Sequence, residues 1–242
     1  MSESKKAPIV VVACRVMQDL MQKYLPAELV DQVTYTDMGL HETPPKLTVA
    51  VQEVIDTIEE PSLVVLGYGL CGNGLAGVKA NQHTLLIPRT DDCVALFMGS
   101  YEAYTDEMSN AGTYFLTKGW LESETTPVGQ YNSYREKYSE EDTEWMMDMQ
   151  FQHYDRLLFV APNKNEVKHY RGMAQEVADF CQRWQMKYEE YVGSDDYFKT
   201  FIASIDSPEE AGSEFVLVPP GGEILTEQFL RGFSTDESAT KM

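Results

Sequence analysis

Short apolar, β-branched runs alternate along this chain with longer polar stretches of helical spacing, and that alternation constrains the fold more than any other feature. The runs are Ile9-Val10-Val11-Val12-Ala13, residues 32–36, Leu63-Val64-Val65-Leu66 and Thr84-Leu85-Leu86-Ile87-Pro88. Each is too short for a buried helix, and near-continuous apolar runs are what strands covered on both faces require. Helices are expected between them, over 16–24 and from Pro44-Pro45 through Ile58, since proline suits a first helical turn. A fifth strand is expected at 113–117. Residues 121–153, acidic and aromatic, read as a helical excursion. The alternation then resumes: a strand at 156–162, a helix at about 166–184, a strand at 186–192, a helix at 197–205 and a strand at 214–218. The expected fold is α/β, a mainly parallel sheet flanked by helices. It is drawn either as one continuous sheet or as two Rossmann-like halves facing a cleft. The expected divisions are an N-terminal half at 1–120, the excursion at 121–153, a C-terminal half at 154–232 and a flexible tail at 233–242. No period of 20 to 50 residues repeats, which excludes a solenoid.

Charge narrows the partners. The chain of 242 residues carries 39 Asp and Glu against 19 Lys and Arg, a formal net charge of −20. Neutralising phosphates needs clustered Lys and Arg, so neither nucleic acid nor an anionic membrane is an expected partner. The first apolar run is too short for a signal-peptide core or a membrane span, and the expected compartment is the cytoplasm. In that reducing setting the four cysteines read as thiols, metal ligands or catalytic groups before disulfides.

Three of those cysteines share one address. Cys14, Cys71 and Cys93 each follow an apolar run by a few residues, and loops after the carboxyl ends of parallel strands converge on the edge where ligands bind. His41 holds the matching place after the second run. A Cys3His set suits tetrahedral zinc, and three cysteines suit an iron–sulfur cluster with one open iron. The alternative is that each cysteine is a small core residue, which is the reading for Cys181, placed in the middle of a helix. No CxxC pair is present.

Gly67-Tyr68-Gly69-Leu70-Cys71-Gly72-Asn73-Gly74 is the most unusual stretch. Its glycines allow close approach of backbone to a ligand, so Tyr68, Gly69, Gly72, Asn73 and Gly74 are candidate ligand-binding positions. It lacks the Gly-Lys-Ser/Thr of a Walker loop and the GxGxxG spacing. Arg89, in Pro88-Arg89-Thr90-Asp91-Asp92-Cys93, is the expected cation beside the thiols, where it and helix-end N–H groups would stabilise a Cys93 thiolate and orient an anionic ligand.

Ala13-Cys14, Leu40-His41-Glu42-Thr43-Pro44, the glycine-rich stretch, Arg89-Thr90-Asp91-Asp92-Cys93 with Gly99-Ser100, and Gly119-Trp120 together resemble the DUF1638 family, over about residues 9–222. The resemblance implies that Cys14, His41, Cys71 and Cys93 belong to the family's pattern. It also implies a largely anaerobic distribution and a link to corrinoid or methylamine metabolism, and it names no reaction. Three functions follow as expectations. The first is a zinc or iron–sulfur protein that binds a small ligand. The second is a metal-free enzyme of racemase type, whose thiols exchange a proton at a substrate carbon. The third is a non-catalytic corrinoid or metal carrier docking on a protein partner of a methyltransferase system. Homo-oligomerisation through the aromatic, Met-rich excursion is a further expectation.

Overall fold

The computed structural model describes residues 7–30, 32–110, 112–123 and 125–231. The tail expected at 233–242 lies outside them. The strands are β1 (Ile9–Cys14), β2 (Val33–Thr36), β3 (Leu63–Gly67), β4 (Thr84–Pro88), β5 (Thr113–Leu116), β6 (Arg156–Ala161), β7 (Lys187–Val192) and β8 (Phe215–Val218). The helices are α1 (Gln18–Tyr24), α2 (Ala27–Val30), α3 (Pro44–Asp56), α4 (Val94–Met98), α5 (Tyr101–Met108), α6 (Lys118–Glu122), α7 (Pro127–Arg135), α8 (Glu140–Phe151), α9 (Lys164–Cys181) and α10 (Asp196–Ala203). Every expected strand forms. Among the described residues no helix is long and apolar enough to cross a membrane.

The strands form two sheets, and the chain divides into two compact units: Met1–Cys93 with Thr200–Met242, and Val94–Lys199. These bounds differ from those expected near residues 120 and 153. β5 pairs in parallel with β6, not with the first sheet, so it and the helices around it belong to the second unit. The last strand returns to the first unit, where β8 lies antiparallel against β4.

In the first unit the sheet order is β2-β1-β3-β4-β8. The inner strands are apolar except for Thr84 at the start of β4, because both of their faces are covered, and β3 is buried along its whole length. α3 starts with proline in its first turn and turns Leu47, Val51 and Ile55, spaced four apart, into the core beside Val12, Val64 and Leu66. The order reverses between β1 and β3: the chain leaves β1 for β2 on one side, then crosses back to β3 on the other. In open α/β sheets that reversal opens a crevice outside the carboxyl ends of the two strands. Cys14 ends β1 at this point, and the glycine-rich stretch leaves β3 beside it, with Ala13 paired to Gly67.

In the second unit β5-β6-β7 is a parallel sheet. Its core gathers Leu157, Phe159 and Ala161 of β6 with Val167, Ala174, Val177, Ala178 and Cys181 of α9. Asn163 caps α9 by accepting from the N–H groups of Asn165 and Glu166, at 3.0 Å each. Cys181 is fully buried, as expected of a core residue, although it closes the helix instead of sitting in its middle.

Candidate functional site: a thiol cluster at the switch point

Backbone contacts hold the three cysteine loops together. Leu70 N–H donates to the Thr90 carbonyl at 2.9 Å and Cys71 N–H to the Asp91 carbonyl at 2.8 Å, so the segment after β3 is stitched to the segment after β4. The stitch needs Gly69: a Cβ there would stand 2.5 to 2.7 Å from Asp92 backbone atoms. Gly67 serves β1 in the same way, since a Cβ on it would meet Ala13 Cβ at 2.7 Å. Glycine is therefore what lets the segments carrying Cys14, Cys71 and Cys93 close on one another.

The loop then makes an uncommon turn. Cys71, Gly72 and Asn73 adopt φ of 51°, 60° and 69°, three left-handed residues in succession. For the non-glycine members this conformation costs about 1–2 kcal/mol each, less for asparagine, and it persists only where the surroundings enforce it. Here Gly74 N–H donates to the Cys71 carbonyl at 3.0 Å, Leu75 N–H to that of Leu70 at 3.3 Å, and Thr226 Oγ1 to Asn73 Oδ1 at 3.2 Å. Sequence reasoning saw the glycines but not that Cys71 itself is held in a strained conformation.

The electrostatics of the thiols are linked. Burial is the main force raising the Cys14 thiol to about 11, with Asp37 adding and a backbone bond at Val16 and the Arg15 charge subtracting. Cys71 is pushed well up by burial, then by Cys14 and Asp92. Cys93 is raised by burial, then by Cys71, Asp92 and Cys14. Charge interactions weaken with separation, so Cys14 acting on Cys71, and both acting on Cys93, place the three thiols near one another. Tyr68, fully buried, belongs with them: burial and the charges of Cys14 and Cys71 raise its phenol, which shares a 2.7 Å hydrogen bond with Thr36 Oγ1. Tyr68 was already a candidate by its place in the glycine-rich stretch, whereas Asp37, Asp92 and Thr36 are the site residues that sequence reasoning missed. Asp92 was visible beside Cys93, but nothing local links Thr36 to Tyr68.

Two other expected members are engaged with backbone carbonyls. Arg89 donates to the Leu230 carbonyl at 2.6 Å and to that of Ser213 at 3.4 Å, and its own carbonyl accepts from Arg231 at 3.0 Å. It ties down the chain on both sides of β8, while the charges acting on the thiols are those of Cys14, Cys71, Asp37, Asp92 and Arg15. Burial and neighbouring negative groups act against the expected Cys93 thiolate by raising its pKa. His41 lies in a 3-10 turn, Met38–Glu42, after β2. Its Nδ1–H donates to the Met38 carbonyl, which selects the tautomer with the lone pair on Nε2. Gly72 and Asn73 are exposed at the tip of the turn, and Gly74 packs tightly on Leu47.

Chemically, three sulfurs with a neighbouring carboxylate fit a soft or borderline metal ion by ligand type. Among the described residues no group of three or more His, Cys, Asp or Glu side chains is set in metal-holding geometry.

Fold and site together define an α/β protein with a half-buried thiol cluster at the switch point of a mainly parallel sheet. The chain belongs to the DUF1638 family, described as a protein of unknown function, whose model matches residues 35–202. That span is shorter than the one expected: it includes His41, Cys71 and Cys93 and leaves Cys14 outside. No curated protein and no solved structure matches the chain.

Proposed function

We propose that this chain is a cytoplasmic metal-binding protein in which Cys14, Cys71 and Cys93 hold zinc or an iron–sulfur cluster, leaving a position for a small ligand. The observation that carries this reading is that, among three half-buried thiols at the switch point, Cys14 acts on Cys71 and both act on Cys93, with Asp37 and Asp92 acting in the same sense and Arg15 and backbone hydrogen bonds at Val16 and Gly69 acting against it. As free thiols these groups are protonated at neutral pH and weak as nucleophiles or bases. A cation inverts the balance, because it favours the thiolates and is itself favoured by the carboxylates. The same balance disfavours metal-free chemistry of racemase type, which needs a thiolate ready to accept a proton. His41 is the candidate fourth ligand through Nε2. The family resemblance suggests corrinoid or methyl-transfer metabolism as the setting, with delivery of the ligand to a methyltransferase partner as the non-catalytic form of the same function.

Purification under anaerobic conditions, followed by metal and acid-labile sulfide analysis, tests the reading. Stoichiometric zinc, or iron with sulfide, is the expected result. Metal-free protein whose cysteines alkylate readily at neutral pH would refute it and return the site to thiol chemistry.

A further inference from the structure

The helix α8 turns Thr143, Met147 and Phe151, four residues apart, into the core of the second unit. Its outward side carries Trp145, 65% exposed, and Met149, 54% exposed, which are neighbours on one helix face at i and i+4. Lone exposed apolar residues are ordinary, but an indole placed next to a thioether on a helix otherwise made of polar surface is the pairing that marks binding anchors. The surroundings set the sign of what can cover it. The helix reads Glu-Glu-Asp-Thr-Glu-Trp-Met-Met-Asp-Met-Gln-Phe, with five carboxylates and neither lysine nor arginine. Glu140, Glu141 and Asp142 lie in the first turn, where the helix dipole favours them, and Glu144 pairs with Arg183. Glu141, Asp142 and Asp148 are exposed, and on the helical wheel they flank the Trp145–Met149 face on both sides.

We propose that the outward face of α8 docks a protein partner that presents an apolar pocket ringed by lysine and arginine. Trp145 is the anchor, Met149 fills the space beside it, and the flanking carboxylates meet the basic ring. A second copy of this chain is the poorer occupant: it would bring the same acidic rim and a formal charge of −20 to a surface of the same sign, and like charges across an interface are strongly unfavourable. Nucleic acid and anionic lipid are disfavoured on the same ground.

The test uses the full chain and two synthetic amphipathic helical peptides of equal length, each with leucines spaced three and four apart along one face, the remaining face being lysine in one and glutamate in the other. Binding is followed by calorimetry and by fluorescence, with Trp145→Ala identifying the emission of this indole. Expected is saturable binding of the lysine peptide, weakened by salt and by about tenfold or more in both Trp145→Ala and Met149→Ala, as hot-spot truncations do, with no binding of the glutamate peptide. Equal affinity of wild type and both variants for the lysine peptide, which is general attraction to an acidic protein, would overturn the proposal. So would failure of the lysine peptide to bind, or concentration-dependent dimerisation abolished by Trp145→Ala, which assigns the face to a second copy.

Discussion

Replacing Gly69 by alanine is the sharpest perturbation of the loops that carry the thiols. A Cβ there would stand 2.5 Å from the Asp92 carbonyl carbon, 2.6 Å from its Cα and 2.7 Å from its oxygen. These are backbone atoms, so no side chain can rotate away. Relief requires the 69–71 segment to separate from the 90–92 segment, and that separation works against the Leu70–Thr90 and Cys71–Asp91 hydrogen bonds. Overpacking costs about 1–3 kcal/mol, and a strained or lost hydrogen bond adds about 1 kcal/mol, so Gly69→Ala is expected to destabilise by about 2–4 kcal/mol. Gly172, inside α9, is the matched control: it has nothing within 4 Å of its Cβ position and no positive φ. Gly172→Ala should stabilise by about 0.5–1 kcal/mol through helix propensity. Urea unfolding of metal-free protein reads both. If Gly69→Ala falls within about 0.5 kcal/mol of wild type, the range of a neutral surface change, the close approach of the two loops is wrong.

Other consequences follow from the same site and its surroundings. Tyr68→Phe deprives Thr36 Oγ1 of its buried partner and should cost about 1 kcal/mol in urea unfolding. Because the folded state raises the Cys14 thiol from 9.0 to about 11, the unfolded chain releases that proton first. The stability of metal-free protein should hold below pH 9 and fall as pH rises toward 11, and Cys14→Ser should flatten that slope. His83 behaves oppositely as a base: burial lowers its pKa from 6.5, and its Nδ1 accepts from Ser62 N–H at 3.3 Å. Protonation forfeits that bond, so stability should decline as pH drops below about 6.5, and His83→Gln should remove part of the decline.

The strands were legible because runs such as Ile9-Val10-Val11-Val12-Ala13 have a local cause: a strand covered on both faces leaves no place for polar side chains. Partnership between strands has no such local mark. Nothing in Thr113-Tyr114-Phe115-Leu116 says that it pairs with β6, and a four-residue run does not state that β8 runs antiparallel to β4. The two compact units differ from the expected division for that reason. The gathering of Cys14, Cys71 and Cys93 could be read from strand-end positions, because parallel strands send their following loops to one edge. Arg89 shows where that logic stops. Pairing of Pro88 with Phe215 carries Arg89 beside the chain that leads into β8, and its N–H donates to the Glu214 carbonyl at 2.9 Å, a partner 125 residues along the chain. Adjacency in sequence to Cys93 was outweighed by a distant strand.

Metal content per chain, measured under anaerobic conditions on wild type and on the four single Cys→Ser variants, tests the central claim most directly. The account predicts that wild type and Cys181→Ser carry the same stoichiometric metal, and that Cys14→Ser, Cys71→Ser and Cys93→Ser each lose most of it while remaining folded. Metal retained in all three cluster variants, or absent from wild type, would contradict it.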